Sequence, residues 1–231
     1  MIVSRIIGHR GAAGLALENT LTSFRKAIEA GTTIIEFDVQ TTSDGHFVIC
    51  HDNDLSRVSD SRVKIKDVTL KTLRDIPLKN GDTVPLLTEA LDLVRKHNIT
   101  AVVEAKTISD TEAFCALLDT YRDVTMAVAS FNHALLARIR KLRPDFALYL
   151  GESHQPIAVL QKAKAMKAQG IDLHYMLMNP LTYWLAQLWE LELMLYTPNQ
   201  PGVVRLLRFL YPRAYVCTDF PNRFVHLPQS R

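Results

Sequence analysis

Cysteine is scarce in this chain of 231 residues, and its three copies, Cys50, Cys115 and Cys217, lie far apart. An odd number of widely separated cysteines argues against a disulfide framework and is typical of a reducing compartment. We therefore expect a cytoplasmic protein with free, buried thiols.

Long hydrophobic runs are also missing. No stretch approaches the roughly 18 uncharged apolar residues of a membrane span. The most apolar region, 181–196, is interrupted by Gln187, Glu190 and Glu192. The apolar stretch near the N-terminus is too short for a secretory signal. The sequence therefore predicts no integral membrane segment.

An excess of charge of one sign is absent as well. The net charge is +3, and neither a basic stripe nor an RNA-reading motif occurs, so we expect no nucleic-acid partner. Hydrophobic residues make up 48% and charged residues 22%, the balance of a globular protein with a large core. We interpret residues 1–231 as a single domain, and no residue pattern indicates a particular oligomeric state.

Short apolar runs recur along the chain, separated by segments of helical periodicity. A closed parallel barrel needs eight strands, and each run is a strand candidate. The runs are 2–8, 33–39, 100–104, 124–129, 146–150, 171–174, 191–196 and 215–218. This alternation predicts a TIM-type (β/α)8 barrel. The alternative, an open doubly wound sheet, would require a G-x-G phosphate loop that the stretch from His9 to Gly14 lacks.

One segment breaks the alternation. A turn at Ser43-Asp44-Gly45 leads into another strand at 46–51, and the chain from about 53 to 80 is polar, without long periodicity. We interpret it as a small insertion after the second strand.

Three carboxylates are predicted near the carboxyl ends of neighbouring strands. Glu36 and Asp38 are two residues apart on one strand and so face the same side, and Glu104 lies at a similar height on the next strand. Unpaired carboxylates there would be costly, because desolvation and mutual repulsion disfavour their charged forms. One divalent cation would relieve this cost, and oxygen ligands suit Mg²⁺ or Ca²⁺, with Mn²⁺ possible. The alternative is ion pairing with Arg10 or Lys106.

Two histidines, His9 and His51, follow strands beside these carboxylates. A histidine pKa of about 6.5 suits one ring to act as base and the other as acid near neutral pH. Cleavage of a phosphodiester requires such a pair, and Arg10 and Lys106 could hold the phosphate oxygens. The other histidines lack such neighbours.

The same residues resemble a known family signature. The chain is similar to the glycerophosphodiester phosphodiesterases, in particular to their compact bacterial members. The resemblance runs in order through His9-Arg10-Gly11, Glu18-Asn19-Thr20, Ile35-Glu36-Phe37-Asp38-Val39, His51-Asp52, Val103-Glu104-Ala105-Lys106, Ser130-Phe131-Asn132, Tyr196-Thr197-Pro198-Asn199 and Thr218-Asp219-Phe220-Pro221.

This resemblance implies a TIM barrel that cleaves a small-molecule glycerophosphodiester into an alcohol and sn-glycerol 3-phosphate. It implies catalytic roles for His9 and His51, metal ligation by Glu36, Asp38 and Glu104, and substrate contacts for Arg10 and Lys106. Tyr196 stands where the family has tryptophan, so it is expected to line the substrate site and leaves the choice of alcohol open. Leu17, Pro198 and 212–214 also depart from the pattern, away from the metal and histidine positions.

Several alternatives stay open at this point. Either histidine could be the acid, and the nucleophile could be water or the glycerol 2-hydroxyl. The apolar residues Trp184, Leu185 and Leu188, together with Leu206, Phe209 and Leu210, are expected to be barrel packing. If they were instead exposed, they could receive an acyl chain, as in a lysophospholipase D-type enzyme. The other alternative is an inactive barrel that serves as a binding protein.

Overall fold

The computed structural model describes residues 5–226, and residues 2–4 of the predicted first strand lie outside that range. Its sheet has nine strands: β1 Ile6–Gly8, β2 Ile34–Thr41, β3 Phe47–Ile49, β4 Thr100–Thr107, β5 Met126–Ser130, β6 Ala147–Glu152, β7 Gly170–His174, β8 Glu192–Tyr196 and β9 Tyr215–Thr218. Its α-helices are α1 Leu21–Glu29, α2 Leu70–Arg74, α3 Leu87–His97, α4 Thr111–Asp119, α5 His133–Leu142, α6 Pro156–Ala165, α7 Pro180–Leu188 and α8 Pro201–Leu210.

The sheet closes on itself, because β1 pairs in parallel with both β2 and β9. The strands β1, β2 and β4 to β9 form the parallel barrel, and β3 is an antiparallel addition to the edge of β2. The predicted TIM-type barrel and the strand hairpin are thus confirmed, and the open doubly wound alternative is excluded.

Helix ends follow local side-chain chemistry. Thr20 precedes α1, and its hydroxyl accepts a hydrogen bond from the backbone N–H of Ser23. Asn132 caps α5 in the same way, and Asn179 caps α7, whose first residue is Pro180. Such caps satisfy amide groups that have no partner within the helix, so each of these helices begins at a defined residue after its strand.

Apolar side chains form two layers, one inside the barrel and one between the strands and the outer helices. Residues that face the barrel axis form the inner layer: Ile7, Ile34, Val102, Ala127, Ala129, Tyr149, Met194 and Cys217. The alternate residues of each strand pack against the helices outside, as Ile35 and Phe37 of β2 do. The barrel interior is thus packed with side chains, and a functional site is expected at the carboxyl ends of the strands.

The insertion after β2 has a small core of its own. Leu55, Val58, Ile65, Leu73 and Leu78 are buried there, against Val48 on β3. The sequence predicts a polar segment without periodicity, and it does not reveal this core. The core holds the loop that follows His51 close to the barrel.

The outer faces of α7 and α8 carry exposed apolar side chains. Trp184 is 58% exposed, Leu188 59% and Phe209 72%, and Leu206 and Leu210 are exposed as well. The expectation that these residues pack against the barrel is therefore wrong, although Leu185 is half-buried. Within residues 5–226, no helix is long and apolar enough to cross a bilayer.

Candidate active site

A cavity of about 130 Å³ opens at the carboxyl ends of the barrel strands. It is lined by most of the residues that the sequence singles out, namely His9, Arg10, Glu36, His51, Glu104, Lys106 and Tyr196, together with Phe131, Asp172, Thr197 and Cys217. A larger hollow of about 390 Å³ lies beside α4 and α5 and is lined by none of these residues. The smaller cavity is therefore the candidate active site.

The three predicted carboxylates meet beside this cavity. Asp38 on β2 pairs in register with Glu104 on β4, and Glu36 is one inward-facing step earlier on β2. One oxygen from each of the three lies within 4.8 Å of the others, and all three residues are buried. This spacing allows one cation to contact all three.

The surroundings of the carboxylates leave negative charge poorly compensated. Burial, reinforced by the charges of Asp38 and Glu104, raises the pKa of Glu36 well above its usual range. Burial and Asp38 also raise the pKa of Glu104. Burial acts in the same direction on Asp38, but Lys106 and Arg10 outweigh it, so the pKa of Asp38 is lowered. The positive charge that the protein places near Glu36 and Glu104 is therefore too small to offset the effect of burial on these two carboxylates.

Arg10 and Lys106 partly supply that charge. Lys106 Nζ lies 2.5 Å from Glu104 Oε1 and 3.2 Å from Asp38 Oδ1. Arg10 Nε lies 3.2 Å from Asp38 Oδ2, and its Nη1 donates to Glu18 Oε1 at 2.7 Å. The ion pairs considered as an alternative are therefore present, and both cationic side chains also line the cavity.

His9 follows β1 and is held by a carboxylate from the last strand. Its Nδ1 lies 2.6 Å from Asp219 Oδ1, and Asn199 Nδ2 donates to the other oxygen of Asp219 at 2.6 Å. Burial tends to raise the pKa of Asp219, but the hydrogen bonds and the charge of His9 outweigh burial and leave that pKa lowered. Asp219 therefore stays ionised and orients the ring of His9.

His51 follows β3 and has a similar partner. Its Nδ1 lies 2.7 Å from Asp52 Oδ1, and Arg57 Nε donates to Asp52 Oδ2 at 2.5 Å. The hydrogen bond from Arg57, with that of His51, lowers the pKa of Asp52 to about 2. Burial, helped by Lys106 and Arg10, lowers the pKa of His51 itself, although Asp38 and Asp52 act in the opposite direction.

Tyr196 forms part of an aromatic wall. Its ring centroid is 5.8 Å from that of Phe131 and 5.5 Å from that of His174. Its hydroxyl donates to the carbonyl oxygen of Glu152 at 3.2 Å. Lys106 Nζ lies 5.6 Å from the centre of the Phe131 ring, so the aromatic wall is adjacent to the charged groups of the site.

Some residues of the site have no role predicted from the sequence. Asn19 donates to Asp38 Oδ2 at 2.8 Å, and Gln40 holds the loop that carries His51. Asp219, Asp52 and Asp172 are carboxylates beside or inside the cavity. Sequence position alone could have indicated two of them as site residues, because Asp219 directly follows the last strand and Asp52 directly follows His51.

Comparison with known proteins adds the family. The model of the Glycerophosphoryl diester phosphodiesterase family matches residues 9–223. A glycerophosphodiester phosphodiesterase of Bacillus altitudinis is 30% identical over 191 residues, which cover 71% of this chain and 74% of that protein. One of Caldanaerobacter subterraneus subsp. tengcongensis is 29% identical over 182 residues, 73% of this chain and 74% of that protein.

Solved structures share the fold. A phosphodiesterase of Oleispira antarctica, solved in complex with the product sn-glycerol-3-phosphate, is similar with a TM-score of 0.89 and 25% identity, covering 95% of this chain and 94% of that one. A glycerophosphodiester phosphodiesterase of Thermotoga maritima gives a TM-score of 0.81 and 26% identity, with 97% and 98% covered. With its barrel, its signature residues and a match over most of its length, this chain belongs to the glycerophosphoryl diester phosphodiesterase family.

Proposed function

We propose that this protein hydrolyses glycerophosphodiesters to an alcohol and sn-glycerol 3-phosphate, using one divalent cation and the two histidines His9 and His51. One observation carries the proposal. Two histidines, each oriented by an aspartate, line a single cavity with a buried cluster of three carboxylates. The names of the relatives and the product bound to the Oleispira antarctica enzyme support the same reaction.

The residues present fit a hard divalent cation, held by Glu36, Asp38 and Glu104. Glu36 Oε1 is buried and has no hydrogen-bond partner, which is the state expected of a ligand atom. The donor set is entirely carboxylate, and such oxygens suit Mg²⁺, Ca²⁺ or Mn²⁺. When bound, the cation supplies positive charge for the phosphoryl oxygens and lowers the pKa of a coordinated hydroxyl group or water.

The two histidines are arranged for proton transfer. A hydrogen bond to an aspartate favours a proton on Nδ1, so each neutral ring offers Nε2 as a proton acceptor. The histidine that takes the proton of the nucleophile is the base, and the other, protonated, gives its proton to the leaving alcohol. Both assignments of acid and base remain open, and so do water and the glycerol 2-hydroxyl as nucleophile.

Arg10 and Lys106 hold the phosphate in this proposal. Both groups are fixed cations at neutral pH, because the nearby carboxylates raise the pKa of each despite the opposing effect of burial. A cation held by the carboxylates would take over their charge, and the donors of Lys106 and Arg10 would then be free for non-bridging phosphate oxygens.

A metal-reconstituted assay over a panel of glycerophosphodiesters tests the proposal by measuring release of glycerol 3-phosphate. We expect activity with Mg²⁺, Ca²⁺ or Mn²⁺, loss of activity with EDTA, and a decrease of about 10²- to 10⁴-fold in His9→Ala and His51→Ala. His97→Ala, an exposed histidine at the end of α3, is the matched control. Full activity in EDTA would refute the metal, and unchanged turnover in both histidine variants would refute their roles. A wild-type protein without activity would indicate the binding-protein alternative.

A second candidate substrate class is favoured by the exposed apolar faces of α7 and α8. Met176, in the short turn after β7, is 73% exposed, and the neighbouring His174 and Tyr175 continue the aromatic wall from Tyr196. Such a surface could accept the acyl chain of a lipid-tailed glycerophosphodiester. Comparing turnover of glycerophosphocholine with that of lysophosphatidylcholine separates the two classes, and a preference for the lysolipid would favour a lysophospholipase D-type enzyme.

A further inference from the structure

Asp172, on β7, is a buried residue whose carboxyl group opens onto the cavity and has no hydrogen-bond or ion-pair partner among residues 5–226. The residue is 8% exposed. By contrast, Glu36 accepts a hydrogen bond from the backbone of Arg10 through one of its two oxygens, Oε2, and Glu104 pairs with Lys106. The carboxyl group of Asp172 therefore has free hydrogen-bonding capacity that faces the cavity, where a bound ligand can use it.

The position of Asp172 places it opposite the carboxylate cluster. Strand β7 lies across the barrel from β2, separated from it by three strands on either side. In the register of β7 and β8, Asp172 pairs with Met194, two residues before the pair of His174 and Tyr196. Asp172 therefore lies one inward-facing step deeper than the aromatic wall, and the phosphate-binding groups occupy the other side of the cavity.

The charges around Asp172 restrict what it can bind. A divalent cation is disfavoured, because the described residues that could hold a metal are Glu36, Asp38 and Glu104, without Asp172. A ligand ammonium group is disfavoured too, because Lys106 and Arg10 already place two cations in the same small cavity and would repel it. Burial, with the charge of Glu104, raises the pKa of Asp172 well above its usual range. A hydroxyl group both donates and accepts, so it can pair with this carboxyl group in either protonation state.

We propose that Asp172 binds the terminal hydroxyl group of the glycerol half of the substrate, the one farther from the phosphate, and selects diesters that carry it. The inference rests on the proposed function and extends it to a specificity-determining residue. A site built to pair with a hydroxyl group rejects an analogue without it, because the buried carboxyl group would then remain unpaired.

Paired substrates test this assignment. Kinetics are measured for wild type, Asp172→Asn and Asp172→Leu with sn-glycero-3-phosphocholine and with 2-hydroxypropyl phosphocholine, which keeps the 2-hydroxyl group and lacks the terminal one. Wild type is expected to prefer the glycerol substrate. Asp172→Leu is expected to lose about 10- to 100-fold in kcat/KM on the glycerol substrate, to change little on the hydroxypropyl substrate, and so to lose the discrimination. Asp172→Asn, which can still pair with a hydroxyl group, is expected to keep most of it.

A binding measurement separates this inference from the proposed function. Calorimetry compares sn-glycerol 3-phosphate with 2-hydroxypropyl phosphate, which lacks only the terminal hydroxyl group, on the metal-loaded proteins, without turnover. Wild type is expected to bind the glycerol compound more tightly, and Asp172→Leu is expected to bind the two alike. Equal weakening of both ligands in Asp172→Leu, or discrimination that survives it, would overturn the inference. Discrimination in binding by a protein without diesterase activity would refute the proposed function and support the role of Asp172. A metal-induced rise in melting temperature shows that each variant is folded.

Discussion

His9 depends on a carboxylate that is 210 residues away in sequence. Asp219 fixes its Nδ1 at 2.6 Å, and Asn199 fixes Asp219 in turn. We predict that Asp219→Asn lowers kcat on the order of 10- to 100-fold, as with other carboxylates that orient functional histidines. Because Asp219 acts only through the His9 ring, the double variant Asp219→Asn with His9→Ala should lose little more kcat than His9→Ala alone. Independent, additive losses would contradict the orienting role.

The pair of His51 and Asp52 predicts a pH dependence. Burial and the neighbouring cations lower the pKa of His51 from 6.5, and Asp52 opposes that shift. If His51 is the base, activity is lost as the pH falls through its pKa. Asp52→Asn removes a group that raises this pKa, so the acidic limb of the kcat/KM profile should move to lower pH.

The control for this prediction is Asp54→Asn, which removes the same charge two residues further along the same loop, where Asp54 Oδ1 accepts from the backbone of Ser56. Its acidic limb should stay at the wild-type position. An acidic limb that moves upward in Asp52→Asn would identify a different group as the base.

Single residues differ in how well the sequence predicts them. Glu36, Asp38, Glu104 and the two histidines are visible because acidic and basic side chains at strand ends are unusual in an apolar context. The partner of a histidine is not visible, since Asp219 and His9 meet only when the barrel closes between β1 and β9. The sequence does not single out Asp172, because one acidic residue inside a strand is typical of an alternating polar and apolar pattern. Its lack of a hydrogen-bond partner becomes visible only when the residues around it in the fold are known.

At the scale of elements, β2 also positions the loop after β3. The side-chain nitrogen of Gln40, a buried residue, lies 3.0, 3.1 and 2.5 Å from the carbonyl oxygens of Cys50, His51 and Asp52. We predict that Gln40→Ala costs about 1–3 kcal/mol of unfolding free energy, because these buried acceptors lose their donor. Urea unfolding measures the cost, and kcat should fall as well, since His51 loses its support. Thr42→Ala, at the start of the preceding turn, is a control for general damage to the hairpin. A stable Gln40→Ala variant with full kcat would contradict this role.

Strands were predictable from short apolar runs, and helices were predictable where apolar residues recur with helical periodicity. All eight barrel strands correspond to apolar runs in the sequence, because inward and outward faces of a buried strand are both apolar. The insertion lacks such a period, since its buried residues, such as Leu55 and Leu73, are separated by irregular polar segments. In α8, Val204 and Leu207 face the barrel while Leu206 and Phe209 are exposed. A helix that is apolar on both sides does not reveal which side packs.

At the scale of the whole molecule, the carboxylate cluster links stability to pH and to the cation. Burial raises the folded-state pKa of Glu36 from 4.5, so the folded protein binds this proton more tightly than the unfolded chain. The contribution of Glu36 to stability is therefore complete below about 4.5 and is lost as the pH rises through its raised pKa. In EDTA, the melting temperature of wild type should thus fall relative to that of Glu36→Gln as the pH rises above the ordinary pKa of 4.5.

A bound cation should reverse that loss, because it binds the ionised carboxylates of the folded state and is not held by the unfolded chain. At a metal concentration of about 100 times Kd, the gain is about 2.7 kcal/mol. We therefore predict that Mg²⁺ or Mn²⁺ raises the melting temperature of wild type most at high pH, and that Glu36→Gln loses most of this rise. Glu29→Gln, on the exposed side of α1, should respond as wild type does. Calorimetric scans at each pH with metal or with EDTA measure both effects. If the pH dependence of wild type were the same with metal and with EDTA, the cluster would not hold the cation, and the ion pairs of Lys106 and Arg10 would be its entire charge compensation.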